Sequence, residues 1–436
     1  MTTTGIQTHE GLSGAHAGPT PSRLRSPVPA FVACTVALTP ILVPAGPGNS
    51  ALADVPMLVA ITLAVVATAA TGVRVRVPYA AGVTLLIVGG LVATLISGAP
   101  ARVVLVLAQD LLLLLWSFAI VSGRGDPQMV VALTKAWCRT VPIVALIGLL
   151  SYMVGFGPLS GVTAADASRA SYTFGDPNLA ANYLVLGLVV MFACRRPVNM
   201  PLRRLCYLLV LAAIVLTGSN GGAIGLALVF TGLAILHAWR REGPTAALLA
   251  LSLSAALVVG GAVFVSPHVD LTSVREAAAG SIPLFRDSVG RSNSSVSERS
   301  ALFDESTRLW FQGSGSGYGP ARTKATLLAF QAPYVKEAHN DYMATLLERG
   351  PIGVLGLILL WLATGANLRK VLTRRLPAGA RDAVPRAWAL AVGAPVLAVS
   401  GAFYEVLHFR HAWTWLGLVA LLALSTEGSG ARKVAR

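Results

Sequence analysis

Two stretches of this chain combine residue types and spacing that suit chemistry. The first begins at Ser295-Val-Ser-Glu298, a capping-box spacing in which the serine and glutamate satisfy each other's backbone amides and start a helix. At about 100° per residue, Leu302, Phe303, Ser306 and Trp310 share one face with Arg299 at its centre. Glu298, Asp304, Glu305 and Arg308 occupy the opposite side. A guanidinium on an apolar face must meet an anion or carbonyls, because burying it alone is expensive. The competing reading is an arginine that snorkels to lipid headgroups. Face geometry does not choose between them.

The second stretch runs Glu337-Ala-His339-Asn340-Asp341-Tyr342-Met343 and on through Leu346, Leu347, Glu348 and Arg349 to Gly350-Pro351. As a helix it sets His339 beside Tyr342, Met343 and Leu346, with Asp341 and Glu348 facing away. Gly350-Pro351 should break or kink that helix where it enters the next apolar run. A histidine at such a boundary can accept a proton near neutral pH. A structural histidine with its ring nitrogens satisfied is the plainer alternative.

Weaker features accompany these. Gly313, Gly315, Gly317 and Gly319, ahead of Pro320, form a glycine-rich run that matches neither a dinucleotide fingerprint nor a P-loop. It reads as a turn, although exposed amides can hold phosphate. Glu405, His408 and His411 recur every third residue, as metal ligands might be spaced, but a Glu405–Arg410 pair accounts for those charges more simply. Asp110 falls inside an apolar run and therefore needs a partner. Cys34, Cys138, Cys194 and Cys206 have neither CxxC nor zinc-ligand spacing, so no disulfide framework and no metal site is expected from them.

The elements that must position these residues are helices in lipid. The chain has 436 residues, 55% of them hydrophobic and only 12% charged. Soluble domains carry about 25% charged residues. Runs near 28–46, 52–71, 78–97, 103–122, 141–157, 178–194, 205–219, 222–239, 245–266, 351–367, 387–405 and 409–425 approach the ~20 residues that cross the hydrocarbon core. The expected fold is an all-α polytopic membrane bundle of about twelve helices with one large, partly helical extracytoplasmic loop. The first run is read as a retained helix, although Ala51-Leu52-Ala53 resembles a signal cleavage site.

With the N-terminus inside, 22 of the 34 lysines and arginines fall in cytoplasmic segments, and the short outer loops hold only Arg102, Arg169 and Arg410. The net charge of +15 thus follows the positive-inside rule and argues against nucleic-acid binding. The expected organisation is a disordered cytoplasmic tail over 1–27, helices over 28–266, the large outer loop over 267–350, helices over 351–425 and a basic cytoplasmic tail over 426–436. No internal repeat or pair of broken helices marks a transporter site.

The segment His339-Asn340-x-Tyr342-x3-Leu346-x-Glu348-x-Gly350-x2-Gly353 resembles the histidine motif that follows the large periplasmic loop in the O-antigen ligase and O-antigen polymerase superfamily of bacterial membrane glycosyltransferases. Arg299, followed by Leu309-Trp310 and the glycines, resembles that loop's arginine helix and glycine turn. Arg169 with Phe174-Gly-Asp-Pro177-Asn178 resembles the segment entering a middle span. Thr217-Gly-Ser219-Asn220-Gly221-Gly222 sits where many members carry a Ser-Arg-Gly hairpin. The order and spacing agree over roughly residues 140–425.

The resemblance implies transfer of a glycan from undecaprenyl pyrophosphate to an acceptor hydroxyl, with no cofactor and no metal. His339 and Arg299 would be catalytic, and Arg169, Asn178, Ser219, Asn220, Asn340 and Glu348 would bind substrate. Asn220 stands where an arginine is common, so Arg169 and Arg299 would supply most of the positive charge. The implied partners are a lipid-linked oligosaccharide, a glycan or glycolipid acceptor, membrane lipid and other polysaccharide-assembly proteins. The implied location is the bacterial inner membrane, multi-pass, with both termini cytoplasmic. A non-enzymatic flippase or exporter of lipid-linked glycans is the rival; it predicts charges lining the bundle interior and little need for a long loop. A structural partner in an envelope assembly is a third reading.

Overall fold

Short acceptor side chains placed before prolines start several of the helices. Asp126 accepts from the Gln128 amide ahead of Pro127–Met153, and Asp176 accepts from Asn178 and Leu179 ahead of Pro177–Cys194. Each aspartate satisfies amides that the first turn leaves open, while proline at the first position has no amide to satisfy. Asn199 and Ser219 cap Met200–Leu216 and Asn220–Glu242 in the same way. These junctions fix where each apolar run enters the bundle.

The computed structural model describes residues 26–43, 50–72, 76–98, 102–162, 169–268, 292–313, 315–332, 334–335 and 339–426. For 102, 257–268 and 292–299 it describes the backbone alone. Of the expected tails over 1–27 and 426–436, residues 1–25 and 427–436 lie outside the described residues, as do 269–291 of the expected loop. Among the described residues the regular structure is entirely helical. Each expected apolar run contains helix, although the run near 28–46 is helical only over Val28–Leu38 and its residues 44–46 lie outside the described residues. Seven helices are long and apolar enough to cross a membrane: Asp54–Thr71, Ala80–Ser97, Val103–Ser122, Pro127–Met153, Pro177–Cys194, Asn220–Glu242 and Asp341–Thr373. Shorter apolar helices cover Val28–Leu38, Pro244–Ala256 and Ala387–Gly401. Large apolar side chains remain outward-facing along these helices, as lipid contact requires, among them Leu95, Phe230 and Leu362.

The main core surrounds Pro177–Cys194 and Arg410–Ser425 and contains the fully buried Trp116, Trp137, Tyr183 and Trp415. Helix Ala80–Ser97 crosses Asp341–Thr373 through glycine. A Cβ on Gly82 would come within 2.8 Å of the Gly356 carbonyl, and one on Gly89 within 2.6 Å of the Arg349 carbonyl. Small residues allow this backbone-to-backbone approach in membranes, where packing rather than hydrophobicity joins helices.

The segment before the kinked helix has a small core of its own, made of Leu302, Leu309, Leu327, Ala332 and Leu347. Its helix, Ser292–Gln312, begins one turn before the expected capping box at Ser295. Leu302, Ser306 and Leu309 are its buried stripe, whereas Phe303, expected on that face, is 52% exposed. The buried stripe leans toward the Leu309 side because Leu327 and Leu347 supply its partners there.

The expected break at Gly350 is present. Gly350 has φ +61° and ψ −165°, and the helix resumes with Pro351. The glycine run packs against this kink. A Cβ on Gly317 would lie 2.9 Å from the Gly350 amide, and one on Gly350 would lie 2.4 Å from the Ser316 carbonyl. The Tyr318 and Gly319 amides donate to the Leu347 and Glu348 carbonyls at 2.7 and 3.1 Å, satisfying acceptors that the broken helix leaves open. The glycine turn is therefore a close backbone joint.

Candidate functional site

His339 lies outside the helix on which the sequence pattern placed it. The helix starts at Asp341, and Asn340 is its cap, accepting from the Tyr342 and Met343 amides at 2.9 and 3.1 Å. His339 therefore precedes the cap, with φ +46°. Histidine is among the few residues that visit this left-handed region with some frequency. The consequence is a change of neighbours. The His339 ring lies against Tyr404, with centroids 5.5 Å apart and planes tilted by 36°.

Tyr404 is the meeting point of the site. It sits between the helix ending at Gly401 and the turn Val406–His408. Its hydroxyl bonds to Asp176, and Arg169 and Glu405 are close enough to act on it electrostatically. It also stacks on Phe409 at 5.6 Å. Asp176 thus holds the first amides of Pro177–Cys194 and the Tyr404 hydroxyl together.

Arg169 belongs to the same neighbourhood. Its Nε donates to the Thr217 carbonyl at 3.0 Å, and one terminal nitrogen donates to Asn178 Oδ1 at 3.5 Å. Ser219 Oγ donates to that same Asn178 oxygen at 2.8 Å and accepts from the Gly222 amide at 3.1 Å. Gly218, at φ +54°, lets the chain turn beneath the arginine stem. Arg169, Asn178 and Ser219, read from separate motifs, therefore form one bonded cluster. Asn220 follows as the first residue of its helix and is exposed.

Two adjoining cavities open on this group. The larger, of about 560 Å³, is lined by His339, Asp176, Tyr404, Glu348, His408 and Arg410, with apolar residues such as Leu42 and Val106. The smaller is lined by Asn178, Asn182, Ser219 and Ser400 and shares Tyr404 and Phe409 with the first.

Glu348 faces the larger cavity while holding the chain that precedes it. Its carboxylate accepts from the Ala321 amide at 2.8 Å, the Thr323 amide at 3.3 Å and the Thr323 hydroxyl at 2.7 Å. It is the acceptor at the start of the short helix Thr323–Ala329. The side chain of Arg299 lies outside the described residues. Its backbone belongs to Ser292–Gln312, whose buried stripe rests on the small core beside Leu347.

Asp341, expected to point away, is buried. It accepts from the Val406 and Leu407 amides at 2.9 and 3.3 Å and so pins the turn that carries His408. Asp110 finds its partner in Arg349, at 2.5 Å, with both side chains nearly closed to solvent. Arg349 also donates to the Leu86 carbonyl at 3.3 Å. Arg410 forms a two-point pair with Asp54, at 2.5 and 2.6 Å. His411 Nε2 lies 2.8 Å from Asn182 Oδ1, and His408 Nε2 stands 4.0 Å from Glu405. Among the described residues, Glu405, His408 and His411 do not converge as a metal-binding group. Burial holds the His408 imidazole below its ordinary 6.5.

Sequence reasoning missed Tyr404, set Asp341 on the wrong side, and quoted Asp176 and Arg349 without giving them a role. Asp176-Pro177 did carry a signal, since an acceptor before proline marks a helix start. Tyr404 carried almost none, because one hydroxyl between two apolar runs looks like any interfacial tyrosine.

Residues 205–358 match the family model described as O-antigen ligase, so the resemblance read from the motifs extends to the profile of that family. The matched segment takes in Ser219, Asn220, Arg299, His339, Asn340 and Glu348, and it ends inside the kinked helix. Arg169, Asn178 and Tyr404 lie outside it. No curated protein matches the chain.

Proposed function

We propose, taking the O-antigen ligase match as premise, that this protein is a membrane glycosyltransferase. It moves a glycan from a polyprenyl-pyrophosphate donor to an acceptor hydroxyl. The observation that carries the reading is the convergence of His339, Tyr404, Asp176 and the Arg169 cluster on adjoining cavities at one end of the bundle. The proposed layout is a twelve-span bundle with its long loop on the outer side, where the polyprenyl tail stays in lipid and the sugars stay in water.

In this reading the acceptor hydroxyl gives its proton to an imidazole nitrogen of His339 as its oxygen attacks the anomeric carbon. The bond from that carbon to the pyrophosphate oxygen breaks, and the oxygen leaves with the electron pair. A guanidinium offers planar, paired donors to the charge that develops there, which a point-charge ammonium does not. Arg169 has that role on the bundle side, held by Thr217 and Asn178. Arg299 is proposed to reach the same diphosphate from the loop. Tyr404 orients the His339 ring, and Asp176 fixes Tyr404.

The rival exporter reading predicts charges along the bundle interior. The deeply buried pair Asp110–Arg349 closes on itself, and Asp176, Glu348, Glu405 and Arg410 line the cavity of the proposed site, which favours the enzyme.

The test is reconstitution with a lipid-linked oligosaccharide and a hydroxyl acceptor, reading the new glycosidic bond. His339→Ala should lower turnover by about 10²–10⁴-fold, the usual contribution of a general base. Arg169→Lys should lower it less, while raising the donor concentration needed. Undiminished transfer by His339→Ala removes the proposed base, and donor translocation without a new bond would favour the exporter.

A further inference from the structure

The charged groups of the proposed site do not account for a further cavity, of about 770 Å³, between helices Pro177–Cys194, Met200–Leu216 and Asn220–Glu242. Its walls are apolar along most of their length, through Leu188, Leu211 and Leu233. At one end the chemistry changes abruptly. Arg240, Arg241 and Arg386 line it there with His237 and Trp388.

Arg386 is the informative residue. Its guanidinium lies over the Phe192 ring, 4.6 Å from the centroid, and Phe192 meets Trp388 edge-on at 6.0 Å. The charges acting on it are those of Arg195 and Arg203, both repulsive, and the remaining electrostatic neighbour is the Tyr207 hydroxyl. Burial and these two arginines hold its proton affinity below the usual arginine range. A cluster of like charges at the mouth of an apolar cavity calls for an anion, and the apolar depth calls for hydrocarbon. An arginine held over a ring is also suited to a phosphate oxygen, because its fork of donors points outward in the plane of the guanidinium.

We propose that this cavity binds one acidic glycerophospholipid. Its phosphodiester lies among Arg240, Arg241 and Arg386, and an acyl chain lies along Leu211 and Leu233. The volume falls within the ~300–1,000 Å³ of ordinary small-ligand sites. Basic pockets between membrane helices bind anionic headgroups in this way, and Trp388 sits where an interfacial tryptophan belongs. On the topology proposed above, the arginines face the cytoplasm, so the lipid comes from the inner leaflet. The site is therefore separate from the donor-binding cavity at the other end of the bundle.

The experiment uses the full chain in detergent and follows thermal unfolding and native mass spectrometry with three probes. These are phosphatidylglycerol, phosphatidylcholine and inorganic phosphate. Phosphatidylglycerol should be retained and raise the unfolding temperature, whereas phosphatidylcholine and inorganic phosphate should do neither. Arg386→Gln should weaken phosphatidylglycerol binding about tenfold, which is about 1.4 kcal/mol. Leu233→Trp fills the apolar end without changing charge and should weaken it as well, so the proposal does not depend on one variant folding. Arg374→Gln, a basic residue outside the cavity lining, should leave it unchanged. Equal retention of phosphatidylcholine, binding of inorganic phosphate alone, or unchanged phosphatidylglycerol binding in both cavity variants overturns the proposal.

Discussion

Two polar clusters share Glu348, Glu405 and His408 at one end of the bundle, yet they are built on different terms. In one, Asp110 and Arg349 meet charge to charge, 11% and 8% exposed, with the Leu86 carbonyl taking a further donor. In the other, Asp176, Tyr404 and His339 border about 560 Å³ of open space, and Asn178 and Ser219, linked to Asp176 through an amide and to each other through a hydroxyl, border the smaller cavity beside it. The first cluster is closed by its own ion pair and leaves only about 20 Å³ of space beside it. The second keeps its groups in fixed positions while leaving a volume between them. Residue type alone does not distinguish a structural charge from a working one; the space in front of it does.

The comparison breaks most visibly at the closed pair. Removing one member leaves a buried charge alone, so Arg349→Met should destabilise the protein by about 3–5 kcal/mol. Unfolding in detergent measures this, and the double change Asp110→Asn with Arg349→Met should cost clearly less than Arg349→Met alone. Equal costs would mean that the pair is not the unit. By contrast, His339→Ala should change turnover far more than stability.

Glu348 borders both clusters and sharpens the contrast. Glu348→Ala removes three hydrogen bonds to Ala321 and Thr323 and should cost about 1.5–3 kcal/mol, with earlier proteolysis of the preceding segment. Glu348→Gln keeps an acceptor oxygen there. If Glu348 only fastens the chain, that variant retains both fold and transfer. If the carboxylate also contacts substrate, transfer falls while the fold remains.

The smallest effect concerns His408. Its imidazole Nδ1 is buried with no hydrogen-bond partner among the described residues, and burial depresses its affinity for protons. Asp110, Arg349 and Glu348 act on it, and Glu405 stands beside it. A neutral folded form favours the unfolded chain as protons are added. The stabilisation is complete above the ordinary 6.5 and declines as pH falls from there through the depressed folded value. His408→Gln should flatten that part of the stability profile, which a series of unfolding curves between neutral and mildly acidic pH would show.

Much of the architecture was legible in the sequence because apolar length and glycine-proline punctuation are local signals. The expected runs found their helices, and Gly350-Pro351 found its kink. The site was legible only in part. Arg169, Asn178 and Ser219 come together as a cluster, but periodicity carried His339 one turn too far into a helix. Asn340 competes locally by offering its side-chain oxygen to two amides, so the helix begins only at Asp341, two residues after the histidine. The partner of Asp110 lies 239 residues away in sequence, beyond any periodicity. The same holds for Tyr404, whose place beside His339 depends on Asp341 anchoring the following turn.

The contact between Gly317 and Gly350 has a further consequence. Here two stretches of main chain touch with no side chain between them, so the joint has no slack to absorb a change. Elsewhere an outward leucine can become another aliphatic with little effect, because lipid conforms to either. The tightest demands on this chain fall on residues that have no side chain at all as well as on its reactive groups.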